Sequence, residues 1–146
     1  WYTPGMAVWQ RRPFADMAAV LDELRGRRRL GLLSDGFLPA QRRKLAALDL
    51  GRAFDAVVFT EELGRDAWKP SPVGFERIAE RLGARPERCV YVGDNPAKDF
   101  IAPNRLGWMT IQLVRPEQVH ARAAAAAGGA AQHAAHSGAD VLALVG

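Results

Sequence analysis

The strongest constraint on how this chain can fold is a regular alternation of short apolar runs with amphipathic stretches, each apolar run closing on a polar turn. Leu30-Gly31-Leu32-Leu33 is long enough for a buried strand and ends at Ser34-Asp35-Gly36. Asp55-Ala56-Val57-Val58-Phe59-Thr60 reads as a second strand. Cys89-Val90-Tyr91-Val92, broken by Gly93-Asp94, is a third, and Met109 to Val114 alternates like a fourth. Between them the apolar spacing becomes helical. Met17, Val20, Leu21 and Leu24 form one face of a helix over 14–25, stopped by Gly26. Pro39 opens a second helix, with Leu45, Leu48 and Leu50 inward and Gly51 at its end. Ser71-Pro72 starts a third, which presents Phe75, Ile78, Ala79 and Leu82 and stops at Gly83. Pro96 opens a fourth through about Leu106, before Gly107. This order predicts an α/β fold, a sheet of parallel strands with helices on its faces. Ligands gather at the C-terminal strand ends of such sheets.

Composition narrows the function classes. At 146 residues, with 49% hydrophobic and 25% charged side chains, the chain suits one globular core. No apolar run approaches the roughly 18 residues of a membrane span, and Trp1-Tyr2-Thr3-Pro4 lacks the character of a signal peptide. No membrane partner is expected. The chain begins with Trp1 rather than Met, so a fragment or processed product is the expectation. Cys89 is the single cysteine, and its apolar run reads as a small core residue; a cytoplasmic setting fits. Net charge is +4, with 17 arginines against three lysines. The patches Arg25-Gly26-Arg27-Arg28-Arg29 and Arg42-Arg43-Lys44 lack interleaved aromatics. They suit a helix C-terminus and a solvated helical turn better than nucleic acid, so no nucleic-acid partner is expected.

The last segment differs in character. Ala123 to Ala135 is nearly all alanine, interrupted by Gly128-Gly129, and reads as a weakly structured connector. Ala139 to Val145 is expected to return as a short strand or helix. His133 and His136 are three apart, but with no third ligand nearby they read as solvated side chains rather than a metal site. The expected organisation is 1–12 as the end of a cap region, 13–116 as an α/β core, and 117–146 as connector and C-terminal segment.

Four side chains at strand ends can carry chemistry. Asp94 follows the third strand, and Asp99 lies in the first turn expected after it; two converging carboxylates suit Mg²⁺, which completes its shell with water and phosphate. The ordinary alternative is a turn cap and a helix-favouring acid. Ser34, with the turn Asp35-Gly36, can hold a phosphate through its hydroxyl and backbone N–H groups, or can simply end a strand. Lys69 is held extended by Pro70 and the helix start at Pro72, which aims a cation towards the strand ends; a surface lysine is the default.

Taken together, Leu30 through Gly36, Trp68-Lys69-Pro70-Ser71-Pro72 with Phe75, and Val90 through Phe100 resemble the second, third and fourth motifs of the haloacid dehalogenase superfamily, phosphatase branch. The resemblance implies a Rossmann-like parallel sheet with helices on both faces and a Mg²⁺-dependent phosphohydrolase. Its substrate would be a small phosphorylated metabolite, hydrolysed through a phosphoaspartate. It further implies that Ser34 hydrogen-bonds the transferring phosphoryl group, with Asp35 and Gly36 beside it. Lys69 would offset negative charge, Asp94 would bind Mg²⁺, and Asp99 would complete or orient its shell.

The family's first motif, Asp-x-Asp-x-Thr/Val on the central strand, occurs nowhere in the sequence. That strand would sit between those ending at Ser34 and Asp94, and its absence predicts unpaired backbone groups in mid-sheet. The expectation is an N-terminally truncated fragment, with Trp1 to Arg12 as the end of a cap insertion. Too little sequence separates Ser34 from Lys69 to hold a cap. The alternative is a non-catalytic relative that keeps a phosphate- or metal-binding module. A dehalogenase is disfavoured by the paired acids, since carbon–halogen displacement needs no metal.

Overall fold

The computed structural model describes residues 12–35, 39, 43, 54–115 and 124–146, with side chains described from Asp16 onward. Of the helix expected from Pro39, Pro39 and Arg43 are described and helical, while Leu45, Leu48, Leu50 and Gly51 lie outside the described residues, as do Gly36 and the segment Trp1 to Arg11.

Helix α1 (Arg12–Leu24) precedes strand β1 (Gly31–Ser34), and β2 (Ala56–Phe59) follows. Two 3₁₀ turns, Thr60–Leu63 and Arg65–Ala67, lead to helix α2 (Val73–Leu82). Strand β3 (Val90–Gly93), helix α3 (Ile101–Arg105) and strand β4 (Met109–Leu113) come next. Strand β5 (His133–Ala135) and helix α4 (Gly138–Val145) close the order. Every strand pairing is parallel: β1 with β2, β3 with β4, and β4 with β5. The expected α/β class and alternation are what the molecule has.

The strands fall into two sheets, β1-β2 and β3-β4-β5. Among the described residues nothing pairs the second edge of β1 or of β3. This is the break that the resemblance placed between the strands ending at Ser34 and Asp94. β3 shows its effect: Val-Tyr-Val-Gly is a buried-strand sequence, yet Val90 is 40% exposed and the other three are half-buried.

Side-chain alternation assigns the two faces. Tyr91 packs towards a cluster of Leu33, Val58, Phe75, Ile78, Cys89 and Trp108, on the α2 side. Its neighbour Val92 faces the opposite cluster, where Met17, Val20 and Leu24 of α1 meet Ile111 and Leu113 of β4 and Val141 of α4. Phe75 and Ile111, fully buried on opposite faces, are each worth about 1.5–3 kcal/mol of burial. The Phe75 ring stands edge-on to Tyr91 at 4.9 Å and to Trp108 at 5.6 Å, so α2 packs against both sheets. The closeness of α2 to β1 is set by Gly74, where a Cβ would lie 2.9 Å from the Leu33 side chain.

Two local expectations change. The helix expected from Pro96 begins at Ile101, because the Asp99 carboxylate turns back to the Asp94 and Asn95 amides and holds 94–100 in turns. Within the stretch expected as a connector, His133–Ala135 instead forms strand β5, while α4 falls where 139–145 is expected to return as a short strand or helix. Ala135 and Val141 are buried, and Ser137 caps α4 by accepting from the Asp140 amide at 3.1 Å. Asp16 of α1 ties this segment down, receiving the Gly138 amide at 2.7 Å and the Arg115 guanidinium at 2.6 Å.

Candidate active site at the strand ends

The parallel register aligns the C-terminal ends of β1 and β2, and the Lys69–Asp99 and Lys98–Asp35 contacts bring the end of β3 to them; the first residue past each strand is polar: Asp35, Thr60 and Asp94. Ser34, the last residue of β1, is buried beside them. Lys69 arrives from the loop after β2, on a backbone fixed by the cis Lys69–Pro70 peptide. Asp99 returns from the turn after β3. Of the residues expected from sequence, Ser34, Asp35, Lys69, Asp94 and Asp99 thus sit at one end of the strands, all buried or nearly so. Gly36 is outside the described residues.

Lys69 is the centre of this arrangement. Its ammonium lies 2.8 Å from Asp99 Oδ1 and donates to the Tyr91 hydroxyl at 3.0 Å. Burial disfavours the charged ammonium, but the Tyr91 oxygen, Asp99 and Asp35 outweigh it and hold the Lys69 pKa above its ordinary value. Asp99 mirrors this: burial favours the neutral acid, yet the Lys69 charge and hydrogen bond keep its pKa below the usual carboxylate range. Burial raises the Tyr91 pKa, which keeps the phenol protonated.

Asp99 has little capacity left for a metal. Oδ1 faces Lys69, and Oδ2 accepts the backbone amides of Asp94 at 3.2 Å and Asn95 at 2.8 Å. Gly93 makes this return possible, since a Cβ there would meet Asp99 Oδ2 at 2.8 Å. Asp94, at the end of β3, is buried, 6% exposed. Among the described residues no three His, Cys, Asp or Glu side chains converge. The donor set fits a small hard cation held by one carboxylate, water and a substrate's oxygens, with Asp99 orienting the turn.

Asp35 is more heavily used than its sequence context suggested. Its Oδ1 accepts the Thr60 hydroxyl at 2.7 Å, and its Oδ2 accepts the Lys69 amide at 3.2 Å and the Lys98 ammonium at 3.1 Å. Thr60, Tyr91 and Lys98 were not among the sequence candidates. Thr60 and Tyr91 read as strand residues, and Lys98 falls within the helix expected from Pro96. The signal available was position: Thr60 directly follows a strand, and Lys98 directly precedes Asp99.

The sequence and fold both have known counterparts. A haloacid dehalogenase-like hydrolase family model matches residues 5–107. The chain is 38% identical over 105 residues to a glyceraldehyde 3-phosphate phosphatase of Methanopyrus kandleri, covering 71% of this chain and 44% of that protein. It is 39% identical over 85 residues to the N-acylneuraminate-9-phosphatase of Mus musculus, covering 58% of this chain and 34% of that one. The chain therefore spans less than half the length of these curated relatives. Among solved structures, a HAD phosphatase of Thermococcus onnurineus superposes with a TM-score of 0.75 at 24% identity, over 99% of this chain and 65% of that one. A HAD family hydrolase of Deinococcus radiodurans R1, solved with bound phosphate and sodium, gives 0.72 at 25% identity, over 88% and 56%. With the family model covering most of its length, the chain belongs to the haloacid dehalogenase-like hydrolases.

Proposed function

We propose that this chain carries the phosphate- and metal-binding part of a Mg²⁺-dependent phosphohydrolase acting on a small phosphorylated metabolite, in a cytoplasmic setting. The observation that carries the reading is the buried Lys69–Asp99 pair beside Ser34 and Asp94. Burying two opposite charges is costly and adds little net stability over apolar packing. A function for the fixed ammonium accounts for the arrangement.

In this reading Ser34 donates its hydroxyl to a phosphoryl oxygen. Lys69, held charged by its neighbours, offsets the charge that builds as phosphate is transferred. Asp99 keeps Lys69 in place and closes the turn that presents Asp94. Asp94 would hold Mg²⁺, which supplies charge neutralisation to the phosphoryl oxygens. The charge balance supports a cation: the carboxylates of Asp35, Asp94 and Asp99 outnumber the ammonium groups of Lys69 and Lys98 by one. A phosphate dianion entering such a site without a metal would meet repulsion. The substrates in the names of the two phosphatase relatives, glyceraldehyde 3-phosphate and N-acylneuraminate 9-phosphate, set the substrate class to test.

The sequence holds no Asp-x-Asp, so the 146-residue chain alone is proposed to bind Mg²⁺ and phosphate without turnover. Joined to a strand bearing Asp-x-Asp, it is proposed to hydrolyse small phosphate esters through a phosphoaspartate. The missing pattern also favours a second reading, a non-catalytic phosphate- or metal-binding module. Calorimetry with Mg²⁺ and inorganic phosphate separates the readings from the absence of a site. Wild type should bind both ligands, and Asp94→Asn should lose Mg²⁺. Turnover of the ester panel, once the Asp-x-Asp strand is supplied, marks the enzyme. Binding that never becomes turnover marks the module. Mg²⁺ affinity unchanged in Asp94→Asn would refute the metal assignment.

A further inference from the structure

Among the described residues, one other lysine beyond Lys69 reaches the strand ends. Lys98 lies in the turn after β3, and its Nζ is 3.1 Å from Asp35 Oδ2 across the division between the two sheets. The two partners differ in setting. The Asp35 side chain is 7% exposed, whereas that of Lys98 is 38% exposed. An ammonium has three donors, and among the described residues the Asp35 contact uses one. Lys98 therefore keeps donors facing the open side of the site, while Lys69 is enclosed between Asp99 and Tyr91.

Asp35 organises both cations. The same Oδ2 that receives Lys98 also receives the Lys69 backbone amide at 3.2 Å. Its other oxygen is fixed by the buried Thr60 hydroxyl at 2.7 Å. A carboxylate spending its lone pairs this way has little left for a ligand and, being negative, would repel a phosphate. Its position, directly after Ser34 at the end of β1, brings Lys98 to the same strand end.

We propose that Asp35 is a positioning residue that holds Lys98 as a second, solvent-facing cation at the phosphate site, and that Lys98 itself contacts the bound phosphate. This rests on the phosphate-binding reading given above and assigns that site a contact beyond Ser34, Lys69, Asp94 and Asp99. The ligand chemistry is a phosphate monoester or inorganic phosphate, whose oxygens accept from Lys98 Nζ on the side away from Lys69.

The test uses the 146-residue chain with its lysines labelled with ¹⁵N at Nζ; with only Lys44, Lys69 and Lys98 present, the signals are assignable by substitution. Inorganic phosphate is titrated in the presence of Mg²⁺. The expected result is a phosphate-dependent shift of the Lys98 Nζ signal. Lys98→Met should weaken phosphate binding about tenfold, the scale of one charge-assisted contact, and Lys98→Arg should restore most of it. Asp35→Asn should broaden the Lys98 signal before any phosphate is added. If phosphate shifts Lys69 but not Lys98, and Lys98→Met binds it as wild type does, the assignment of Lys98 is overturned while the phosphate site stands. If no signal responds and calorimetry detects no phosphate, the phosphate-binding reading falls, and this inference with it.

Discussion

Lys69 Nζ and Asp99 Oδ1 lie 2.8 Å apart with both side chains almost fully enclosed. They come from opposite sides of the sheet division, Lys69 from the loop after β2 and Asp99 from the turn after β3. Removing one partner leaves an uncompensated buried charge. Asp99→Ala should destabilise the chain by about 3–5 kcal/mol. The double variant with Lys69→Met should be less destabilised than the sum of the two single variants. Urea unfolding of the four proteins measures this, and simple additivity would show that the pair is not coupled.

The same pair gives stability a defined pH dependence. The Asp99 pKa is lowered in the folded chain, since Lys69 outweighs burial. Its contribution is therefore complete above the ordinary carboxylate value and is lost as pH falls through the lower, folded value. The Lys69 pKa is raised, so its contribution is complete below the ordinary lysine value and disappears only well above it. Unfolding midpoints measured from neutral to acid pH should fall, and Asp99→Asn should flatten that acid limb. An identical limb in the variant would assign acid sensitivity to other carboxylates.

Gly93→Ala tests the turn rather than the charges. The added Cβ would lie 2.8 Å from Asp99 Oδ2 and 2.9 Å from the Tyr91 ring, both closer than packed atoms allow. Expected is a loss of Mg²⁺ affinity larger than the loss of stability, because the Asp94-Asn95 amides and Asp99 separate before the sheets do. Calorimetric Mg²⁺ binding alongside thermal unfolding distinguishes the two. Equal Mg²⁺ affinity in the variant would mean the turn tolerates the methyl without moving Asp94.

Tyr91→Phe keeps the ring against Phe75 and Phe100 but deletes the hydroxyl that accepts from Lys69. One buried ammonium donor then lacks its acceptor, at a cost of about 1–3 kcal/mol. The Lys69 Nζ resonance should move while the Lys98 resonance stays. A stability unchanged from wild type would indicate that a water replaces the phenol.

Much of this was legible in the sequence, and for identifiable reasons. Ser34 and Asp94 stand at strand ends, where periodicity and turn residues mark the boundary, and Lys69 and Asp99, in the loops that follow, are picked out by the motifs they complete. The parallel α/β order followed from the alternation of strand and helix patterns. The delayed start of α3 was not legible, because Pro96 is a good opener and nothing local reports that Asp99 folds back on two amides. The role of the C-terminal segment was hidden for a different reason. Its alanines carry no periodic signal, yet Ala135 fits a buried place beside β4 because it is small. Lys98 and Asp35 are 63 positions apart, and such a contact exists only once the fold has brought two strand ends together.

The division between β1-β2 and β3-β4-β5 has a mechanical consequence. In a continuous sheet, ladder hydrogen bonds keep neighbouring strands in register, and polar groups at the rim are passengers on a rigid frame. Here, among the described residues, no ladder crosses from β1 to β3, and the rim contacts Lys69–Asp99 and Lys98–Asp35 span that seam. These rim contacts then add to the packing of α2 in joining the two sheets. Phosphate drawing Lys98 from Asp35, or a cation repositioning Asp94, would change the tension across the seam. Ligand occupancy should therefore register as a change in how firmly the two halves are joined, visible in hydrogen exchange along β1 and β3 far more than along β4.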